Sequence, residues 1–168
     1  TQKEFLALPA SVIQAAARGH QKYFCVLKPG SDELLPHYLT VVNTALAPEK
    51  VAKGNDRVMR ARLSDAKFFY EEDRKAKLDD RVEKLGGIVF HNRLGTVREK
   101  VSRLEELAAH IAAQVGADQQ VVRRAAHLCK FDLVSLMVGE FPELQGVMGR
   151  SYALHAGEAP EVANAVRD

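Results

Sequence analysis

The chain has 168 residues, 46% of them hydrophobic, so it is long and apolar enough for one large domain or two small ones. Its net charge of +2 hides an uneven distribution: residues 1–50 carry 5 basic and 4 acidic side chains, residues 51–103 carry 14 and 9, and residues 104–168 carry 5 and 9. No apolar run approaches the roughly 18 residues of a membrane helix, and the first residues lack a signal-peptide pattern, so the sequence predicts a soluble, cytoplasmic protein without a membrane partner.

The first part of the chain, residues 1–75, has the pattern of a small α+β portion. Ser11 precedes an apolar-periodic run as an N-cap precedes a helix, and a short helix is predicted over residues 11–18. Two runs rich in β-branched and aromatic residues, 23–27 and 38–42, flank a turn-forming cluster and predict a β-hairpin. Because an isolated hairpin is marginally stable in water, a packed helix or residues outside the 168 are expected to complete it.

A helical pattern begins at Pro48, and Gly54-Asn55-Asp56 is expected to interrupt it before a second helical run. That run opens the most basic third of the chain. Two interpretations stay open: a solvated surface with interleaved salt bridges, or a surface that contacts a polyanion. Arginine suits the second role because its planar fork donates hydrogen bonds to phosphate in pairs. The candidate phosphate contacts, which lie on one or two faces of the helix, are Arg57, Arg60, Arg62 and Lys67.

Several aromatic residues in the same part of the chain also admit two interpretations. Aromatic side chains stack on unpaired bases in RNA-binding proteins, and they also fill protein cores. The sequence favours core packing for all of them. These residues are Tyr23, Phe24, Phe68, Phe69 and Tyr70.

From residue 76 to residue 168 the sequence predicts an all-α bundle. Gly86-Gly87 breaks the chain, and N-cap residues, prolines and glycines mark the helices that follow. The predicted helices run from Thr96 to Gly116, from Asp118 to about Gly139, from Pro142 to Gly157 and from Pro160 to Arg167. The first of them carries an apolar stripe at three-and-four spacing. The stripe consists of Val97, Val101, Leu104, Ala108, Ile111 and Val115.

The sequence contains no complete catalytic or metal-binding motif. Residues 125–130 resemble the approach to the His-Asp metal pair of HD-domain phosphohydrolases, but the pair itself would fall on Cys129 and Lys130. An ammonium group at a ligand position repels a divalent cation, so an HD-like fold without metal chemistry is predicted. Both cysteines, Cys25 and Cys129, are expected to be buried thiols. No catalytic or metal-binding residue is assigned, and no phosphate loop or dinucleotide fingerprint occurs.

Residues 130–158 place charged and polar side chains among apolar residues at helical spacing. Charged side chains are seldom fully buried unless they are paired, so these residues either bind one another or contact a partner. Both explanations stay open on the sequence alone. This candidate polar seam consists of Lys130, Asp132, Glu140, Gln145 and Arg150.

Short stretches that match a known family run through nearly the whole chain. They are Leu8-Pro9, His20-Gln21-Lys22-Tyr23-Phe24, Val42-Asn43, Gly54-Asn55-Asp56-Arg57-Val58, Ala61 to Phe69, Leu94-Gly95-Thr96, and Asp132 to Arg150 with its segment Glu140-Phe141-Pro142-Glu143-Leu144-Gln145-Gly146. Together they resemble the β subunit of the bacterial two-subunit glycyl-tRNA synthetase.

The resemblance implies an internal fragment of a longer subunit, ending within its HD-like domain and lacking an anticodon-binding region. In that family the α subunit activates glycine with ATP and Mg, while the β subunit supplies tRNA recognition and subunit contacts in an α2β2 holoenzyme. The resemblance therefore implies tRNA(Gly) and the α subunit as partners, no DNA, and no cofactor or catalysis in this fragment alone.

The sequence thus predicts a mainly α fold: an HD-like helical bundle over residues 76–168, preceded over residues 1–75 by a small α+β portion with a β-hairpin and a basic helix. The predicted function is a non-catalytic part of glycyl-tRNA synthetase that contributes to tRNA(Gly) recognition and α/β assembly. The alternatives are a metal-dependent HD-type phosphohydrolase and a purely structural module that docks the α subunit.

Overall fold

The computed structural model describes residues 3–19, 22–44 and 46–168, and it divides into two compact units between Glu71 and Glu72. The sequence placed this division slightly later, after residue 75. His20 and Gln21, which belong to one of the matched stretches, lie outside the described residues. The first unit ends at Glu71, and the second unit runs from Glu72 to Asp168.

Each unit carries one two-stranded antiparallel hairpin among helices in its described residues, so the predicted mainly α fold with a small β part is confirmed. The elements are α1 (Ala10–Arg18), β1 (Phe24–Leu27), β2 (Leu34–Leu39), α2 (Pro48–Asp73), α3 (Leu78–Lys84), β3 (Val89–His91), β4 (Gly95–Thr96), α4 (Val97–Val115), α5 (Gln119–Leu128), α6 (Leu136–Glu140), α7 (Val147–His155) and α8 (Pro160–Arg167). Short 3₁₀ helices lie at Lys3–Ala7, Leu85–Gly87, Phe131–Val134 and Pro142–Leu144.

The first unit packs α1 and the β1–β2 hairpin with α2. The strands pair antiparallel, with Phe24 opposite Leu39 and Leu27 opposite Leu34. The second strand therefore precedes the predicted segment 38–42 and overlaps it only at its end. The reason is the turn, which the backbone N–H of Lys28 closes by donating to the carbonyl oxygen of Glu33 at 2.9 Å.

Helix α2 is continuous from Pro48 to Asp73, so the predicted interruption at Gly54-Asn55-Asp56 is wrong. Glycine inside a helix costs only about 1 kcal/mol relative to alanine. The two polar residues that follow it both gain partners in the helical conformation. Asn55 accepts a hydrogen bond from the Tyr23 hydroxyl at 2.9 Å, and Asp56 pairs with Arg60 one turn later at 2.8 Å.

In the second unit, α4 begins and ends where the sequence predicted. The Thr96 side chain accepts from the backbone N–H of Glu99 while the Glu99 carboxylate accepts from the N–H of Thr96, which is a complete capping box. Gly116 ends the helix in the left-handed conformation with a φ of 72°. The small hairpin β3–β4, which precedes the helix, was not predicted as a strand pair.

The apolar stripe predicted for α4 is only partly buried. Val97 and Val101 are buried, but Ile111 and Val115 are 48% and 70% exposed. Toward its end the helix instead buries Ala109 and Ala112, whose small side chains allow close packing on that side of the helix. Small residues there change which side of the helix faces the core.

The segment between α5 and α8 departs most from the predicted pair of long helices. Helix α5 ends at Leu128 rather than near Gly139, and α7 begins at Val147 rather than at Pro142. Gly146 prevents α7 from starting at Pro142, because its φ is 78°, a left-handed value that no continuing helix adopts. A Cβ atom at this position would lie 2.7 Å from the carbonyl oxygen of Arg167, so only glycine fits.

Candidate functional site

An exposed basic face runs along α2. Lys50, Lys53, Arg57 and Arg60 are all exposed, and their spacing of three or four residues stacks them on one side of the helix. The opposite side buries apolar side chains, including Met59. Lys67 lies two turns beyond Arg60 on nearly the same side. The basic face is defined here as Lys50, Lys53, Arg57, Arg60 and Lys67.

Arg62 is separated from this face. It lies five residues after Arg57, so at about 100° per residue the two side chains leave the helix roughly 140° apart. Arg62 is also half-buried, whereas Arg57 is exposed. The predicted group is therefore split between two sides of the helix. The sequence missed Lys50 and Lys53, although their three-and-four spacing from Arg57 was readable, because the helix was expected to break at Gly54.

Two members of the basic face form ion pairs within the first unit. Arg60 contacts Asp56 at 2.8 Å, and Lys67 contacts Glu4 at 3.1 Å. The hydrogen bond that Lys67 donates to Glu4, together with the negative charge of Glu4, raises the pKa of Lys67 and keeps the ammonium charged. All four side chains are at least one third exposed, and exposed pairs of this kind contribute little stability. Arg60 and Lys67 can therefore exchange their carboxylates for phosphates at small cost.

The aromatic residues divide into buried and exposed groups. Tyr23 is buried and stacks on Tyr38 at 4.8 Å between ring centroids, as core packing predicts. Phe24 and Phe68, by contrast, are 61% and 56% exposed, so the expectation of core packing is wrong for these two. The structure leaves Phe69 and Tyr70 half-buried.

The five residues of the predicted polar seam do not share one set of contacts. Asp132 is fully buried and bonds the backbone of α7, while Arg150 donates from Nε to the side-chain oxygen of Asn164 at 2.7 Å. Glu140 and Gln145 are exposed, and Lys130 is half-buried. The seam is therefore two separate features: a buried carboxylate at the start of α7, and charged or polar groups nearer the surface.

A buried carboxylate that the sequence did not single out organises the second unit. Asp73 is 5% exposed and accepts hydrogen bonds from four groups that are distant in sequence. Its two oxygens accept from Arg81 at 2.9 Å, from the backbone N–H groups of Leu136 and Met137 at 2.9 and 3.0 Å, and from the Tyr152 hydroxyl at 2.8 Å. No local pattern marks Asp73, since on the sequence it is one of several acidic residues at the end of a charged helix.

The Asp73 carboxylate caps α6. The first N–H groups of a helix have no partner within the helix, and an anion placed there is favoured by the helix dipole. Asp73 satisfies the first two of these groups, and the Ser135 hydroxyl accepts from the third, that of Val138, at 3.1 Å. Helix α6 has only five residues, so this capping supplies bonds that so short a helix cannot form internally.

Arg81 compensates the buried charge of Asp73. It is 3% exposed, donates to both the side chain and the backbone carbonyl of Asp73, and lies over the Tyr152 ring at 5.2 Å from the centroid. Its Nη1 atom is buried and has no hydrogen-bond partner among the described residues. Asp73, Arg81 and Tyr152 thus form one buried polar cluster in the second unit.

Asp132 performs the same capping role for α7. One of its oxygens, Oδ2, accepts from the backbone N–H groups of Gly146 at 2.6 Å and of Gly149 at 3.0 Å. The other oxygen, Oδ1, is buried and has no partner among the described residues. Burial raises the pKa of the Asp132 carboxyl, although the two glycine N–H groups act in the opposite direction. A Cβ atom on Gly149 would lie 2.7 Å from Val166 and 3.0 Å from the carboxylate, so glycine is required for this approach.

A network of charged side chains covers one surface of the second unit. Arg124 donates to Asp79 and to Glu158, which raises the pKa of Arg124 and lowers that of Asp79. His127 lies between two carboxylates, with Nε2 3.0 Å from Asp79 and Nδ1 2.9 Å from Glu105. These contacts join α3, α4, α5 and the segment before α8.

Cys129 and Lys130 are the two residues that the sequence placed at an HD-type metal pair. Cys129 is half-buried, and burial raises the pKa of its thiol, which disfavours the thiolate that a metal requires. Cys25 is also half-buried, and burial raises its pKa as well. Among residues 3–19, 22–44 and 46–168 there is no group of three or more His, Cys, Asp or Glu side chains arranged to hold a metal ion. The described helices include none that is long and apolar enough to cross a membrane.

Comparison with known proteins gives a consistent result. A protein family described as "Glycyl-tRNA synthetase beta subunit" matches residues 1–168. A glycine–tRNA ligase beta subunit from Trichlorobacter lovleyi is 52% identical over 167 residues, which cover 98% of this chain and 24% of that protein. The beta subunit from Geobacter sp. strain M21 is 50% identical over 98% of this chain and 24% of that protein. The Bacillus subtilis beta subunit is 48% identical over 99% of this chain and 25% of that protein. The chain thus spans about a quarter of the length of the curated relatives it matches.

Proposed function

The chain belongs to the glycyl-tRNA synthetase beta-subunit family, and from this premise we propose that it is a non-catalytic part of the enzyme that attaches glycine to tRNA. Its proposed roles are to bind the tRNA(Gly) backbone and to contribute to assembly with the alpha subunit. The ATP and Mg needed to activate glycine are proposed to act at the alpha subunit, and no cofactor is proposed for this chain. A cytoplasmic location belongs to the same proposal.

The basic face of α2 is the observation that supports RNA binding. Its five cations lie along roughly 25 Å of helix, from Lys50 to Lys67 at about 1.5 Å per residue. Cations arranged in this way contact successive phosphates and release counterions, which gives a salt-dependent affinity independent of sequence. Arg57 has no ion pair or hydrogen bond from its side chain among the described residues, so its guanidinium is available to phosphate.

Removing two cations from the basic face tests this role. In the full-length beta subunit assembled with the alpha subunit, the double variant Arg57→Gln/Arg60→Gln is expected to bind tRNA(Gly) more weakly. The plot of log affinity against log salt is expected to become shallower by about two, because each phosphate contact contributes about one to the slope. Fluorescence anisotropy with a labelled tRNA(Gly) transcript between 50 and 300 mM salt measures both quantities.

The double variant Lys77→Gln/Lys84→Gln is the matched control. It removes the same charge from exposed residues of the second unit, and it is expected to keep the wild-type slope. Equal slopes for wild type and the Arg57/Arg60 variant would show that α2 does not contact RNA phosphates. Equal losses in both double variants would show a general effect of net charge rather than a binding surface.

An exposed apolar strip on α4 supports the assembly role. Leu107, Ile111 and Val115 recur at four-residue spacing and are 55%, 48% and 70% exposed. Apolar side chains at this spacing fit the grooves of another helix. The strip is proposed to pack on protein within the assembled enzyme.

The variant Leu107→Ser/Ile111→Ser is expected to weaken that assembly at least tenfold, since each exposed aliphatic side chain stabilises an interface by about 1 kcal/mol or more when buried. Mass photometry of mixed alpha and full-length beta subunits over a concentration series measures the change. Leu154→Ser, at a residue that is 38% exposed on α7, is the control and is expected to assemble normally. Unchanged assembly of the double variant would remove the strip from the interface.

The phosphohydrolase alternative is separated from this proposal by metal analysis and a phosphodiester turnover assay. Lys130 places an ammonium beside Cys129, whose thiol is kept protonated by burial, so the donor set does not suit a divalent cation. A stoichiometric Mn, Fe or Zn ion together with turnover would favour the alternative. A purely structural module would be favoured by normal assembly with the alpha subunit together with tRNA affinity that is insensitive to the basic face.

A further inference from the structure

An exposed aromatic ring lies at the end of the basic face. Phe68 directly follows Lys67 and is 56% exposed. It lies eleven residues after Arg57, about three helical turns or roughly 16 Å along the axis, and therefore on nearly the same side of α2. Val58, another exposed apolar residue of this helix, is 40% exposed, so Phe68 is the more exposed of the two. The basic face thus ends in a π surface that is open to a ligand.

The neighbouring aromatic residue contacts the ring of Phe68. Phe68 and Phe69 meet edge to face, with ring centroids 6.0 Å apart and an interplanar angle of 62°. Such pairs contribute stability beyond the area they bury, and here the half-buried Phe69 supplies the fixed partner. An edge contact leaves a face of the Phe68 ring accessible, and it lowers the side-chain freedom that is lost when a ligand stacks on the ring.

Cations and an exposed aromatic ring on one surface suit a particular kind of RNA. Paired bases are already stacked within a duplex, whereas unpaired bases expose faces that stack on aromatic side chains. Proteins that bind single strands combine a basic track for the phosphates with aromatic rings for the bases. We propose that Phe68 stacks on an unpaired base of the RNA whose phosphates contact the basic face. This inference rests on the proposed function and adds to it a single-stranded segment as the ligand of α2.

Protein packing is the competing explanation for Phe68. A protein segment that covered both this ring and Arg57, roughly 16 Å apart along the helix, would need a carboxylate to compensate the Arg57 guanidinium. RNA supplies that compensation through its own backbone, next to each base. Phe24 is 61% exposed but lies on β1, away from α2 in sequence, and it serves as a comparison residue.

Three substitutions at Phe68 separate stacking from general apolar contact. In the full-length beta subunit assembled with the alpha subunit, Phe68→Ala is expected to weaken binding of a tRNA(Gly) transcript by about 5-fold to 150-fold, the range for loss of one stacked base. Phe68→Leu keeps apolar volume without a π face and is expected to weaken binding nearly as much as Phe68→Ala. Phe68→Tyr keeps the π face and is expected to retain binding. The salt slope is expected to stay at the wild-type value in all three, because no phosphate contact is removed.

The same assay with Phe24→Ala is the control and is expected to match wild type. Wild-type affinity in Phe68→Ala, or in Phe68→Leu, would overturn the stacking assignment. Impaired assembly with the alpha subunit, with unchanged tRNA affinity of the assembled fraction, would assign Phe68 to a protein contact instead. The Arg57→Gln/Arg60→Gln variant distinguishes failure of the stacking proposal from failure of the proposed function. If its salt slope is reduced while Phe68→Ala binds tRNA like wild type, only the stacking is overturned. If its salt slope is unchanged, the basic face itself is not the RNA-binding surface.

Discussion

Replacing Asp73 by alanine is expected to destabilise the second unit by at least about 4 kcal/mol, the largest effect of any single substitution proposed for this chain. The change leaves Arg81 as a buried cation without its carboxylate, which by itself costs about 3–5 kcal/mol. It also removes the acceptor for two N–H groups at the start of α6 and for the Tyr152 hydroxyl. A loss of this size is a large fraction of the total stability of a domain, and urea denaturation followed by circular dichroism measures it.

Two comparison variants test whether the Asp73 carboxylate is the centre of the buried polar cluster. Tyr152→Phe removes one hydrogen bond and keeps the ring beneath Arg81, so a loss of about 1–2 kcal/mol is expected. Asp65→Ala removes an exposed carboxylate from the same helix and is expected to change stability by less than about 0.5 kcal/mol. If Asp73→Ala were no more destabilising than Tyr152→Phe, the carboxylate would not be the centre of the cluster.

Replacing Asp132 by alanine is expected to cost about 2–4 kcal/mol. The backbone N–H groups of Gly146 and Gly149 are buried, and each buried donor left without an acceptor costs about 1–3 kcal/mol. Asp132→Asn is the matched variant. Because a single oxygen of Asp132 accepts both bonds and the other accepts none, an asparagine oxygen can replace it. We expect Asp132→Asn to stay within about 1 kcal/mol of wild type at pH 7.

The pH dependence of these two proteins gives a second measurement. Burial raises the pKa of Asp132 above its ordinary value of about 3.9, so the folded chain holds this proton more tightly than the unfolded chain. The stability that follows is fully present below the unfolded pKa and is lost as pH rises through the folded pKa. Wild type is therefore expected to lose stability relative to Asp132→Asn as pH increases from about 4 toward 7. A pH-independent difference between the two proteins would contradict the raised pKa.

Local patterns in the sequence were sufficient for the elements that carry their own start and stop residues. The capping box of Thr96 and Glu99 and the left-handed Gly116 delimit α4 without help from the rest of the chain. Asp118 caps α5 through its own side chain, and Pro160 starts α8. For α4 and α5 the capping hydrogen bonds join residues a few positions apart, and for α8 the signal is the proline at its first position, so each signal is visible in a short window of sequence.

The helices between α5 and α8 could not be predicted in this way. Their caps come from far away: Asp73 is 63 residues before Leu136, and Asp132 is 14 residues before Gly146. Without those carboxylates, the run from Asp118 to Gly139 has the composition of one helix. The candidate polar seam could not be interpreted from the sequence for the same reason. A charged residue that caps a distant helix looks the same in the sequence as one that contacts a partner.

The basic face shows a different limit. Glycine and asparagine at Gly54-Asn55 weaken a helix in general, and the sequence therefore favoured a break there. The Tyr23 hydroxyl, which donates to Asn55 from 32 residues earlier in the chain, acts against that preference. Once the helix is continuous, Lys50 and Lys53 join Arg57 and Arg60 in one row, so two of the five residues of the basic face are recognised only then.

Where a shortened version of this protein begins will decide whether its helical half can be expressed alone. A fragment cut at residue 76, the boundary that the sequence suggested, would omit Asp73 and leave Arg81 and the start of α6 without their acceptor. A fragment that starts only a few residues earlier, within the last turns of α2, would retain that carboxylate. For anyone producing this half of the chain separately, the useful cutting point therefore lies before Asp73 rather than at the end of the helix that carries it.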